Sequence, residues 1–184
     1  VKKSIENTIE NLKSKGVEIV DISIPLLQKA LALYYILVPA EVSSNMARFD
    51  GVRYGSKVDG RDLLGDYMNT RGQLLGREVK KRIMLGTYIL SAGYHDAYYR
   101  KASVLREQLT ADIKKVLGSV DAIITPTAPD TAFKIGEKAG DSVSLYLADI
   151  FTVTANLAGI PAISVPAKTQ ASNGLPTGIQ FMSN

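Results

Sequence analysis

Apolar and polar positions along this chain change period several times, and each change marks an element. Ile5, Ile9 and Leu12 recur three or four positions apart among charged residues and Gly16 follows them, which predicts an amphipathic helix over residues 2–15. Residues 17–24 alternate apolar and polar instead, the pattern of a half-buried strand. Pro25 then opens a helical stretch through Leu37, and Pro39 is expected to kink or restart it. Residues 49–60 are rich in Gly and Asp and read as a loop. Helices are predicted over 62–75 and 77–90, the second with Val79, Ile83, Ile89 and Leu90 on its buried side. A longer helix over 96–117 carries Ala97, Val104, Leu105, Leu109, Ile113 and Val116 at helical spacing, and Gly118 ends it. Beyond it the pattern predicts a buried strand over 120–125 closed by Pro126, and a loop over 125–129. A helix over 145–157 ending at Gly159, a buried strand between Pro161 and Pro166, and a last strand over 178–182 complete the chain.

This order predicts an α/β fold without internal repeats. Four strand candidates must serve five or six helices, and a sheet that narrow needs strands from elsewhere. The chain is therefore expected to be part of a larger domain. A sheet edge left open in this way is also expected to favour self-association.

Composition narrows the chemistry more than the fold. With 184 residues, 46% hydrophobic and 22% charged, the chain has the make-up of an ordinary globular domain. Its net charge of +4 comes from 22 basic residues interspersed with 18 acidic ones, so no nucleic-acid tract stands out. Zero cysteines exclude a disulfide scaffold and thiolate chemistry, and one histidine, His95, argues against a zinc site or a Ser-His-Asp triad within this chain. No apolar run reaches the roughly 18 to 20 residues of a membrane span, and Val1-Lys-Lys-Ser-Ile-Glu6 lacks a signal-peptide shape, so no membrane association and a cytoplasmic location are expected. The chain begins without Met, which suggests a start inside a longer protein. Neither Gly-rich phosphate-loop pattern occurs.

Two charges stand out against their surroundings. Arg82 lies between Val79 and Ile83 at the edge of an apolar stripe, and Asp149 lies inside the apolar run over 145–153. Such groups are either paired within the protein or bind a ligand, and one cation with one anion is what a zwitterionic amino acid requires. His95, among Tyr94, Tyr98 and Tyr99, reads as a surface or interface residue. Ser43 and Ser44 lack the glycine-rich turn that would expose a nucleophile.

Longer motifs carry a family resemblance. Asn156-Leu-Ala-Gly-Ile-Pro-Ala-Ile-Ser-Val-Pro166, followed by Gly174-Leu-Pro-Thr-Gly-Ile-Gln180, resembles the C-terminal signature of the amidase signature enzymes. Within them, residues 40–55, Val79-Lys-Lys-Arg-Ile-Met-Leu-Gly-Thr87 and Ser91-Ala-Gly-Tyr-His-Asp-Ala-Tyr-Tyr99 look like the A subunits of tRNA-dependent glutamine amidotransferases. The resemblance implies a mixed β-sheet sandwiched between α-helices, of which this chain is the C-terminal portion of a single domain. It also implies a glutamine amidase that releases ammonia inside a complex with subunits B and C, for conversion of Glu-tRNA(Gln) and, in many organisms, Asp-tRNA(Asn). Transfer RNA is then met only through the complex, no cofactor binds this chain, and ATP and Mg are used by the partner subunit. Family chemistry uses a Ser nucleophile, a second Ser in a cis peptide and a Lys. All three are expected upstream of Val1, with none in this chain. Glutamine recognition is implied at Arg82, Asp149 and Tyr34, with Tyr35 adjoining the last, and His95 stands where the family leads one to expect Tyr. The competing readings are another amidase signature hydrolase and a non-catalytic docking module that uses the Tyr94 to Tyr99 face.

Overall fold

The structure, a computed structural model, describes residues 1–138, 140–168 and 171–184. Its Cα positions group into two compact units, one formed by Val1–Leu31 with Arg106–Asn184 and the other by Ala32–Leu105.

The first unit opens with helix α1, Lys2–Lys13, which closes through a turn at Gly16. There φ is +83°, a left-handed conformation that costs glycine little and a side chain more. Residues 17–24 depart from the strand expected of them. They pair with no strand, and Val17, Val20 and Ile22 remain exposed. A strand exists only where a neighbour accepts its backbone ladder, and a groove of about 470 Å³, lined by Val17, Val20, Ile22, Ile124 and Phe181, takes that neighbour's place.

The sheet of this unit has three antiparallel strands: β1, Ile123–Pro126; β2, Ala162–Pro166; and β3, Gly178–Met182. Their order is β1-β3-β2, with Thr125 and Ser164 both opposite Gln180. The last strand in sequence is thus the central one. The apolar run of β2 predicts a buried strand, yet Ile163 is 62% exposed, because β2 forms an edge and its face is uncovered by the described residues.

Helix α5, Lys101–Leu117, begins after a π-helical turn at Asp96–Arg100, so the continuous helix expected over 96–117 changes its hydrogen bonding at the start. Leu109, Ile113 and Leu117 are buried as their spacing predicts, whereas Val104 is exposed. The helix expected over 145–157 is two short ones, α6 at Ser142–Leu147 and α7 at Val153–Ala158. Asp141 caps α6 by accepting from the Ser144 N–H at 3.0 Å. Between the helices, the Thr152 N–H and hydroxyl both donate to the Asp149 carbonyl, at 3.0 and 3.1 Å, a local alternative to the helical ladder.

The second unit is helical. A 3₁₀ turn at Pro25–Lys29 precedes α2, Ala30–Met46, which runs through Pro39 instead of restarting there. Helix α3, Leu63–Leu74, is capped by the Asp62 carboxylate, which accepts from the Gly65 N–H at 2.7 Å. Helix α4, Arg77–Leu90, buries Gly86 and Ile89 but leaves Leu90 37% exposed, contrary to the stripe's prediction. The turn at its end opens a face to solvent that periodicity assigns to the core. Gly86 lies so near α2 that a Cβ would overlap the Pro39 carbonyl.

The loop over 49–62 is ordered by carboxylates. Asp50 accepts from the N–H groups of Val52 and Arg53 at 2.9 and 3.2 Å, and those bonds lower its pKa. Asp66 is bonded to Lys57 Nζ at 2.8 Å and to the Gly60 N–H at 2.6 Å, in that order the causes of its own lowered pKa. Lys57 is raised in turn, by Asp59 first and then Asp66. A depressed carboxyl contributes stability that is complete above its unfolded pKa, near 3.8, and is lost as pH falls through the lower folded value. Asp66→Asn is therefore expected to flatten the acid limb of stability against pH, between about pH 5 and pH 2. Urea unfolding at stepped pH measures this, and parallel acid limbs in the two proteins would remove Asp66 as a contributor.

Candidate functional site

Helix α4 presents Arg82 toward the N-terminal half of α2. Its side chain is 26% exposed, and Nε donates to Glu78 Oε1 at 3.0 Å, one turn back on the same helix. The guanidinium carbon lies 5.4 Å from the centroid of the Tyr35 ring, a cation–π distance. Tyr34 packs edge-on against Tyr35 at 5.4 Å and 77°. Burial works against the charge on Arg82, but the Glu78 bond and then the Tyr35 and Tyr34 hydroxyl groups outweigh it, so its pKa is raised. Arg82 is a fixed, permanently charged fork backed by two phenols.

Two of the three residues named for glutamine recognition, Arg82 and Tyr34, thus come together within one unit through Tyr35. Tyr35 and Glu78 are the additions made by the structure. Glu78 was legible as the residue four before Arg82 on a helix, whereas the aromatic contact comes from a different helix and leaves no local signal.

Asp149 belongs to the other unit and lies on the turn between α6 and α7, half-buried. Its own carbonyl holds the start of α7, and Gln180 fixes the turn from below. The buried Gln180 side chain donates from Nε2 to Thr125 Oγ1 at 3.1 Å and to the Phe151 carbonyl at 3.2 Å. A central-strand amide therefore ties β1 to the Asp149 turn. Close by on the sheet, Thr127 and Ser164 share a hydrogen bond of 2.6 Å over Gly178, where a Cβ would meet Thr127 Oγ1 at 2.7 Å and Ser164 Oγ at 2.9 Å.

His95 is half-exposed, with Nδ1 3.0 Å from Asp96 Oδ1 and its ring 5.3 Å from Tyr99. Tyr88, Tyr94 and Tyr98 form an exposed ladder with ring spacings of 4.3 and 6.1 Å. The hydrogen bond with Tyr94, then partial desolvation, pushes the Tyr88 phenol up to about 12. Among the described residues, no three acidic, His or Cys side chains cluster as a metal site, and no helix is long and apolar enough to cross a membrane.

Comparison with known proteins decides the family. The family model described as Amidase matches residues 1–184. The chain belongs to the amidase signature family. The glutamyl-tRNA(Gln) amidotransferase A subunit of Maricaulis maris is 53% identical over 175 residues, covering 95% of this chain and 35% of that protein. The protein of the same name from Thermodesulfovibrio yellowstonii is 52% identical over 182 residues, covering 99% and 37%. Among solved structures, the glutamyl-tRNA(Gln) amidotransferase A subunit of Thermotoga maritima matches with a TM-score of 0.71 and 39% identity, over 100% of this chain and 34% of that one. A crystal structure of an amidase matches at TM-score 0.74 and 20% identity, a likeness of fold alone. This chain spans little more than a third of the length of these curated relatives.

Within the family, the α/β class expected from the sequence stands, with a small antiparallel sheet and flanking helices. The Tyr ladder and the Asp149 turn are then two features of one amidase signature chain.

Proposed function

We propose that this chain is the glutamine-binding portion of an amidotransferase A subunit, which hydrolyses glutamine and passes ammonia to a partner that amidates Glu-tRNA(Gln). Identity above 50% to proteins of that name, over nearly the whole chain, carries the reading. In it Arg82 receives the α-carboxylate through its Nη groups while Nε stays with Glu78, Asp149 accepts from the α-ammonium, and Tyr34 lines the same ligand. The fixed orientation of Arg82 supports its part, since a fork already aligned by Glu78 and Tyr35 loses little freedom on binding. The nucleophilic Ser, its cis-peptide Ser and the Lys belong to residues outside this chain; subunits B and C complete the complex, and ATP and Mg are used by the partner subunit that amidates.

Ammonia release from glutamine tests the division of labour. The full-length protein assembled with its partner subunits is expected to turn over glutamine, and the 184-residue chain by itself is expected to give no ammonia above buffer. Turnover by the isolated chain would overturn the assignment, because the machinery would then lie within these residues.

A further inference from the structure

An apolar groove between α2, α3 and α4 has no part in the glutamine reading. Its volume is about 670 Å³, and every residue lining it belongs to the helical unit. Leu64 is 70% exposed, Met68 68% and Met84 74%, with Met46 and Ile83 forming the floor. Large apolar side chains standing this far into water on adjoining helices mark an interaction surface. Three methionines among them give a surface that adapts its shape to what it meets.

The groove's charges specify the occupant. Both ionisable side chains in its walls besides the Tyr67 phenol are cations, Arg71 and Lys80, and both are held in place. Arg71 stacks over Tyr67 at 5.3 Å, and Lys80 Nζ donates to the Gly72 carbonyl at 2.8 Å. The nearby carboxylates are engaged elsewhere, Asp66 by Lys57 and Gly60, and Glu78 by Arg82. The walls therefore complement carboxylates bordering an apolar stripe. Three helices form the groove, so it offers side chains and no strand edge, which suits an occupant whose backbone bonds are satisfied internally. Helix α3 has 12 residues, about 18 Å, the length of some three helical turns.

We propose that this groove docks an amphipathic helix of another polypeptide, with an apolar stripe flanked by carboxylates. A bilayer is a poorer match, since a groove of about 670 Å³ between three helices has the concave shape that holds a helix and not the convex shape that enters a membrane.

The test uses the full-length protein and two fluorescein-labelled helical peptides of about 18 residues. Both carry leucine at i, i+3, i+4 and i+7; one has Glu beside the stripe and the other Lys. The Glu peptide is expected to bind at least about tenfold more tightly by anisotropy, and Arg71→Glu to narrow or reverse that preference. Met68→Ser with Met84→Ser is expected to weaken the Glu peptide about tenfold while circular dichroism and Tm stay unchanged, because both side chains are mostly in water. Equal affinity for the two peptides, or affinity indifferent to the Met substitutions, would overturn the proposal. So would resistance of Met68 and Met84 to peroxide oxidation in the folded full-length protein before peptide is added, which would show the groove covered by the protein's own chain. Dimerisation lost in the Met variant would assign the surface to a second copy, and vesicle binding lost in the same variant would assign it to phosphatidylglycerol; either result replaces the helix.

Discussion

Arg82→Ala in the full-length protein is expected to raise the KM for glutamine by about 30- to 1,000-fold while the protein stays folded. The magnitude corresponds to about 2 to 4 kcal/mol, the cost of removing one partner from a desolvated charge pair. The geometry gives this prediction an internal control. Glu78 bonds only the Nε edge of Arg82 in the proposed arrangement, so Glu78→Gln, which preserves a hydrogen-bond acceptor, is expected to change KM by no more than about threefold. Tyr35→Leu removes the ring beneath the guanidinium and is expected to fall between them, at about 0.5 to 2 kcal/mol. Steady-state glutamine hydrolysis with a parallel Tm measurement separates the two readings of Arg82. A KM unchanged by Arg82→Ala, beside a lowered Tm, would leave Arg82 as the structural link between α2 and α4 and nothing more.

The second large effect is one of packing. Gly86→Ala is expected to destabilise the helical unit by about 3 kcal/mol or more, since the new Cβ overlaps the Pro39 carbonyl and lies 2.8 Å from Ser43 Cβ. The backbone carbonyl cannot rotate away as a flexible side chain would, so the helices must separate. For a chain of this length the loss appears as a fall in Tm of roughly 6 to 12 °C. Gly72 is the matched control on α3, where nothing stands within 4 Å of a built Cβ. There Ala is expected to be neutral or to stabilise by about 0.5 to 1 kcal/mol, through helix propensity alone. Similar shifts for the two substitutions in thermal unfolding would remove the close approach of α2 and α4 as the cause.

The two glycines show how far a sequence can be read. Both fall within predicted helices and cost the same by propensity, but only one meets a neighbour. Arg82 repeats the point in the candidate site. Its position beside an apolar stripe, and Glu78 one turn before it, follow from a period of 3.6. That Tyr35 forms the surface beneath it depends on where α2 passes α4. Asp149 was legible as a carboxylate in an apolar run, yet the run is no continuous helix. Thr152 turns the chain back onto the Asp149 carbonyl, and Gln180 on the central strand fixes that turn through Phe151.

By itself the sequence determined α1, α3, α4 and most of α5, the stop at Gly16, and the strand at Gly178–Met182, because each is encoded by local spacing and by residues a few positions away. Tertiary structure alone decided that residues 17–24 stay unpaired, that β2 is an exposed edge and that Leu90 and Val104 face water. Apolar periodicity says which face seeks cover; whether a neighbour supplies it depends on elements far away in the chain.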